Sequence, residues 1–250
     1  MNAMMQGISR EEIVQEKDVL GGGYTPHPSG AYGLTINLAY LDKTDSGALG
    51  LHMHFTTDDG EKLRYTCYLQ SGDKKGNKNY YERNGQRFYL PGFALGDSLT
   101  QVVLGTAVED SKREERLVPV YSKKESKEIP QKKQVFVDLI NKKVIGGVTV
   151  LRKNGTKKAG NGYIDTNDVR EENEIIKFFD YDTKLTSTEK AAGETDPTFY
   201  KKWVDKWTNK VDDRWKEVAA PAGVLGMPQT SAGGTPSHVV ETSSDIFDQA

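Results

Sequence analysis

Cysteine is nearly absent from this 250-residue chain, Cys67 being the only one. An internal disulfide framework and a cysteine-based zinc site are therefore excluded, and a reducing compartment fits. Histidine is scarce too, at four residues. His52 and His54 stand two apart, which puts both on one face of a strand, but no later histidine completes a ligand set. Solvent-facing histidines are expected there, and no metal or other cofactor is implied. No apolar run approaches the ~18 residues that a membrane span needs. The first residues have neither a basic start nor an apolar stretch, so no secretory leader is expected and a cytoplasmic location is. Catalytic signatures are missing as well. There is no Gly-x-Ser-x-Gly elbow, and Gly21-Gly22-Gly23 lacks the Lys-Ser/Thr pair that follows a phosphate loop. An enzyme is not expected.

Net charge is also small, at −2, but its distribution is uneven. Residues 61–160 carry 21 basic and 11 acidic side chains, a net of +10, whereas residues 161–250 carry 10 and 17, a net of −7. A basic half of this kind points to a polyanionic partner. Between Ala219 and Val240 there is no Lys, Arg, Asp or Glu, and Gly, Ala, Ser, Thr and Pro dominate. Such a segment buries too little apolar surface to offset its ordering entropy and is expected to be disordered. It ends in a short acidic, hydrophobic tip, Ser244-Asp245-Ile246-Phe247-Asp248-Gln249-Ala250.

The chain divides into an N-terminal extension over 1–28, a domain over 29–218 and a tail over 219–250. In the extension, Ser9 and Glu12 have capping-box spacing for a short helix. The domain reads as mainly β. Tyr32, Leu34, Ile36, Leu38 and Tyr40 alternate with small or polar residues, as do Leu49, Leu51, Met53 and Phe55, and then Leu63, Tyr65, Cys67 and Leu69. This period of two, with turns at Asp45-Ser46-Gly47 and Asp59-Gly60, predicts a three-stranded meander. Further strands are predicted near Leu117–Tyr121, Gln134–Ile140 and Val144–Arg152, with a short apolar run at Ile175–Phe179. Asp97 reads as the N-cap of a short mid-chain helix ending at Gly105. Asp196 and Pro197 open an amphipathic C-terminal helix over 197–218, in which Phe199, Trp203, Trp207, Val211 and Trp215 recur every four residues. That stripe is expected to pack on the sheet; a homodimer contact is the lesser alternative.

One constellation combines cations with aromatic rings. Arg64, Tyr65, Tyr68, Lys74, Lys75, Lys78, Tyr80, Tyr81, Arg83, Arg87, Phe88 and Tyr89 fall within 26 positions. Single-strand binding needs this mixture, with cations following the phosphates and rings stacking on bases. A second basic set includes Lys132, Lys133, Arg152 and Lys153, around Phe136 and a turn at Asn154-Gly155, and would extend the same path. Asp165, Asp168, Glu171, Glu172 and Glu174 read as an acidic loop. The alternative is the carboxylate cluster of a metal-dependent nuclease, for which Glu174-Ile175-Ile176-Lys177 has the right residue types.

Four further features carry a family resemblance. The strand start Gly30-Ala31-Tyr32, the Ser46-Gly47 turn, the Lys-rich loop from Gly72 to Tyr81 and Tyr89-Leu90-Pro91-Gly92-Phe93 resemble phage-encoded single-stranded DNA-binding proteins over residues 29 to 180. The acidic tip completes the likeness, with fewer acids than usual and three residues after Phe247. The resemblance implies an OB-like β-barrel with elaborations. It further implies single-stranded DNA as ligand and roles in replication, recombination and repair. Asp245, Ile246, Phe247 and Asp248 would recruit a polymerase or helicase, in the host-cell cytoplasm for a phage-encoded chain. A phage structural or assembly protein is the remaining alternative.

Overall fold

The computed structural model describes residues 25–122, 125–160 and 162–218. Antiparallel sheet dominates, with few and short helices. The expected meander is present as β1 (Gly30–Lys43), β2 (Leu49–Thr57) and β3 (Lys62–Gln70). Its turns use the residues the sequence offers, Gly47 and Gly60 both taking positive φ. A two-stranded unit of its own follows, β4 (Tyr80–Arg83) and β5 (Gln86–Tyr89), and then helix α1 (Pro91–Leu104). β6 (Glu114–Ser122) pairs with β7 (Lys127–Val135), and β8 (Lys143–Ala159) with β9 (Gly162–Asp180). Two helices, α2 (Ser187–Ala191) and α3 (Thr198–Trp207), precede the short β10 (Val211–Asp213).

The main sheet runs β10-β8-β1-β2-β3, with β9 on the far side of β8 and the β6–β7 hairpin joined to β1. Among the described residues it does not close into a barrel: no ladder joins β3 to β9. Helix α1 packs against both of those strands. Its Phe93, Leu99 and Val102 meet Leu51, Met53, Cys67, Leu69, Ile175 and Phe178 in the principal core. The fit on β3 is close, since a Cβ on Gly92 would lie 2.3 Å from the Tyr68 carbonyl oxygen.

A bulge in β1 changes which side chains face that core. The register with β2 shifts between Ile36 and Leu38, and a one-residue shift sends every later side chain to the opposite face. Leu34 and Ile36 point into the principal core, but so does Ala39, whereas Leu38 and Tyr40 join Val118 and Val135 on the outer face. The single alternating set from Tyr32 to Tyr40 is thus split in two.

Five other expectations change. Helix α1 begins at Pro91, six residues before Asp97, because proline suits the first turn. Asp97 lies inside the helix, and its carboxylate accepts from the Val108 amide at 3.0 Å instead of capping. The C-terminal helix starts at Thr198 and stops at Trp207. Glu189, not Asp196, accepts from the Phe199 amide at 2.8 Å, while also closing the capping box of α2. Beyond Asn209, in the left-handed region at φ 58, the chain becomes β10, so Val211 and Trp215 leave the helical stripe. Last, Asn154-Gly155 is a register irregularity within β8 and no turn, and the expected acidic loop is β9 itself. The run from Gln134 divides between the end of β7 and a 3-10 turn at Val137–Leu139.

The outer face of β8 and β9 is covered by α3. Trp203 packs there with Ile145 and Phe179, flanked by Tyr200, Val204 and Trp207. The Trp stripe, as far as it is helical, packs on the sheet.

Candidate nucleic-acid interface

The β4–β5 hairpin concentrates the cation–aromatic character. Asn84 and Gly85 turn it with φ of 51° and 74°, the double left-handed geometry of a two-residue hairpin loop. The register places Tyr81 opposite Phe88 and Tyr80 opposite Tyr89. Tyr81 and Phe88 stack with centroids 5.6 Å apart, and Tyr89 stacks on Phe93 of α1 at 4.7 Å. Tyr81 leans on the principal core, which anchors the hairpin. Phe88 and Tyr89 nevertheless keep 41% and 62% of their surface exposed. The Arg87 guanidinium lies 4.9 Å from the Tyr80 ring centre, with the Lys78 ammonium 5.5 Å away. Arg87 also holds Glu82 at 3.0 Å. The preceding loop carries Lys74 and Lys75 on an exposed 3-10 turn, and Arg83 is exposed near the hairpin tip.

On β3 the alternation sorts the candidates. Arg64, Thr66 and Tyr68 face outward, whereas Tyr65 turns to the core side with Leu63 and Cys67. Burial, reinforced by Glu174, pushes the Tyr65 phenol well above its ordinary range. Tyr65, half-buried, packs against the core and lines the edge of the groove described next.

The outer face of β2 and β3 and the β6–β7 hairpin, with residues 169–173 of β9, enclose an open groove of about 1120 Å³. Tyr40 lines it because of the β1 bulge. Its ring stacks on His52 at 5.1 Å, nearly parallel, and meets His54 edge-on at 5.9 Å. His52 Nδ1 is 3.0 Å from the Thr66 hydroxyl. Burial lowers both imidazole pKa values, and Arg64 lowers that of His54 further. The two histidines are therefore half-buried stacking groups and not solvent-facing ones. Tyr40, His52, His54 and Tyr121 are groove residues that the charge-and-ring pattern missed; only the shared strand face of the histidines was legible.

The four cations singled out in the second basic set are each ion-paired. Lys132 pairs with Glu115 at 2.8 Å, Lys133 with Asp42 at 2.5 Å, Arg152 with Asp213 at 2.9 Å and Lys153 with Glu172 at 2.6 Å. Phe136 is in the principal core at 1% exposure, so no base can reach it. The acidic residues of β9 are engaged in turn, Glu172 by Arg170 as well and Glu174 by Arg214 at 3.3 Å. Burial raises the Glu174 pKa despite that partner. Among the described residues no three His, Cys, Asp or Glu side chains converge as metal ligands, and no helix is long and apolar enough to cross a membrane.

Most of the N-terminal extension, with its Ser9 capping box, and the tip residues Asp245, Ile246, Phe247 and Asp248 lie outside the described residues. Compared with protein-family models the chain matches none, and no curated protein is significantly similar to it.

Proposed function

We propose that this protein is a non-enzymatic single-stranded DNA-binding protein with little sequence preference. The observation that carries this reading is the β4–β5 hairpin. Phe88, stacked on Tyr81, and Tyr89, stacked on Phe93, are exposed rings on opposite faces of the hairpin, and Arg87 and Lys78 lie over Tyr80 on the Tyr89 face. Flat faces stack any base, and cations beside them hold the phosphates without reading sequence. From the hairpin the strand runs over Tyr68 to Arg64 along the outward face of β3, with Lys74 and Lys75 flanking its start.

An elaborated OB-like barrel is consistent with this path. The antiparallel sheet has α1 against both β3 and β9, as expected of a barrel bridged by a helix rather than a ladder. In this reading Asp245, Ile246, Phe247 and Asp248 form a recruiting tip for a replication enzyme such as a polymerase or helicase, and the protein serves replication, recombination and repair.

Fluorescence anisotropy of labelled oligo-dT of about 30 nucleotides against its duplex equivalent, over a salt series, tests the reading. Salt-sensitive binding that strongly prefers the single strand supports it. Absence of binding at low salt overturns it.

A further inference from the structure

The groove beneath the β6–β7 hairpin has a feature that the hairpin site does not use. Arg64 points outward from β3, two-thirds exposed, and its only ion-pair partner among the described residues is Glu128 of β7, at 3.5 Å. These residues are 64 apart in sequence and belong to different parts of the sheet. An exposed pair of this length adds little to stability. Glu128 lies opposite Tyr121 in the β6–β7 ladder, so both side chains of that pair share the face that lines the groove. Tyr121 is 59% exposed.

We propose that the groove is a nucleotide subsite, in which the Glu128 carboxylate occupies the position that a backbone phosphate takes on Arg64. The ligand is a phosphodiester of single-stranded nucleic acid, its base received between Tyr121 and the stacked Tyr40–His52 pair. A carboxylate and a phosphate present the same acceptor oxygens to a guanidinium, and the phosphate also releases counterions on binding. The volume of about 1120 Å³ slightly exceeds what small-ligand sites span, about 300–1,000 Å³, and suits a nucleotide with part of its neighbour.

Arg64 and Lys62 share the outward face of β3 and both line the groove, Arg64 being the one that Glu128 occupies. Asp42 is held by Lys133, and Glu172 by Lys153 and Arg170. Glu171 and Arg170 line the groove as well. Glu128 can withdraw because the ladder is weak behind it. Pro119 faces Pro130 in the register, so neither residue donates a ladder hydrogen bond there. The base of the hairpin, by contrast, is fixed by the Lys133–Asp42 pair and by Val118 and Val135 against Tyr40.

This subsite rests on the proposed single-strand binding, and the test separates the two. Anisotropy with labelled oligo-dT of about 30 nucleotides is measured for wild type, Glu128→Gln and Glu115→Gln, the last removing an equal charge from the same hairpin outside the groove. Glu128→Gln is expected to tighten binding about three- to tenfold, and Glu115→Gln less than about twofold. Photocrosslinking with 5-iodouracil-substituted oligonucleotide and peptide mapping is expected to label Tyr121. Equal effects of the two variants together with crosslinks confined to residues 80–89 overturn the subsite and leave the β4–β5 site standing. Failure of wild type to bind at all overturns both.

Discussion

The Ser29 hydroxyl accepts a hydrogen bond from the buried Val150 amide at 2.7 Å and donates one to the Lys210 carbonyl. It sits where β1 ends its ladder with β8, at Gly30 opposite Val148, and β10 takes over the same edge from Val150. The side chain replaces backbone that neither strand supplies at the junction, and the Ser29 carbonyl accepts from Asn209 at 2.8 Å to complete it.

Ser29→Ala would leave the Val150 N–H buried and unpaired. A loss of about 1–3 kcal/mol is expected from urea unfolding, with faster amide exchange across Val211–Asp213. A variant as stable as wild type would mean that another group reaches Val150.

Gly147 lies under α3, where a Cβ would stand 2.7 Å from the Trp203 ring. Gly147→Ala should therefore destabilise the fold by about 1–3 kcal/mol and shift the tryptophan emission, because the indole must move from the Ile145–Phe179 surface. Unchanged emission and stability would place Trp203 elsewhere.

Two phenylalanines proposed as neighbours in function separate cleanly by burial. Phe88→Ala is expected to weaken oligo-dT binding by about 1–3 kcal/mol with little change in melting. Phe136→Ala is expected to cost about 3–5 kcal/mol of stability, as a core truncation does, measured by thermal and urea unfolding. Binding that survives Phe88→Ala intact would argue against stacking on the hairpin.

The histidines give stability a pH dependence. Burial holds His52 and His54 below the ordinary value of 6.5, so below that value the unfolded chain takes up protons that the folded chain refuses. Their contribution is complete above 6.5 and is lost as pH falls toward the folded values. The melting temperature should drop from about pH 7.5 to about pH 5.5, and less steeply in His52→Gln. Parallel profiles would free the Tyr40–His52 stack from this role.

Local chemistry made much of the fold legible in the sequence. The meander strands alternate at period two, and Gly47, Gly60 and Asn84-Gly85 turn where glycine and asparagine tolerate positive φ. The cation–aromatic cluster was also legible, because its members are close in sequence, but the segment reads as a loop and its pairing into β4 and β5 was not legible. Tertiary structure alone decided three things. The β1 bulge sent Tyr40 to the outer face, since a register shift depends on the partner strand and leaves no mark in the alternation. β10 ended the predicted helix, because the free edge of β8 beyond Gly30 offered backbone partners to Val211–Asp213. Contacts far apart along the chain set the fate of the second basic set: Lys133 met Asp42, Arg152 met Asp213, and Phe136 was buried. Composition counts charges and rings, but whether a cation is free or a ring exposed is fixed only when distant segments pack.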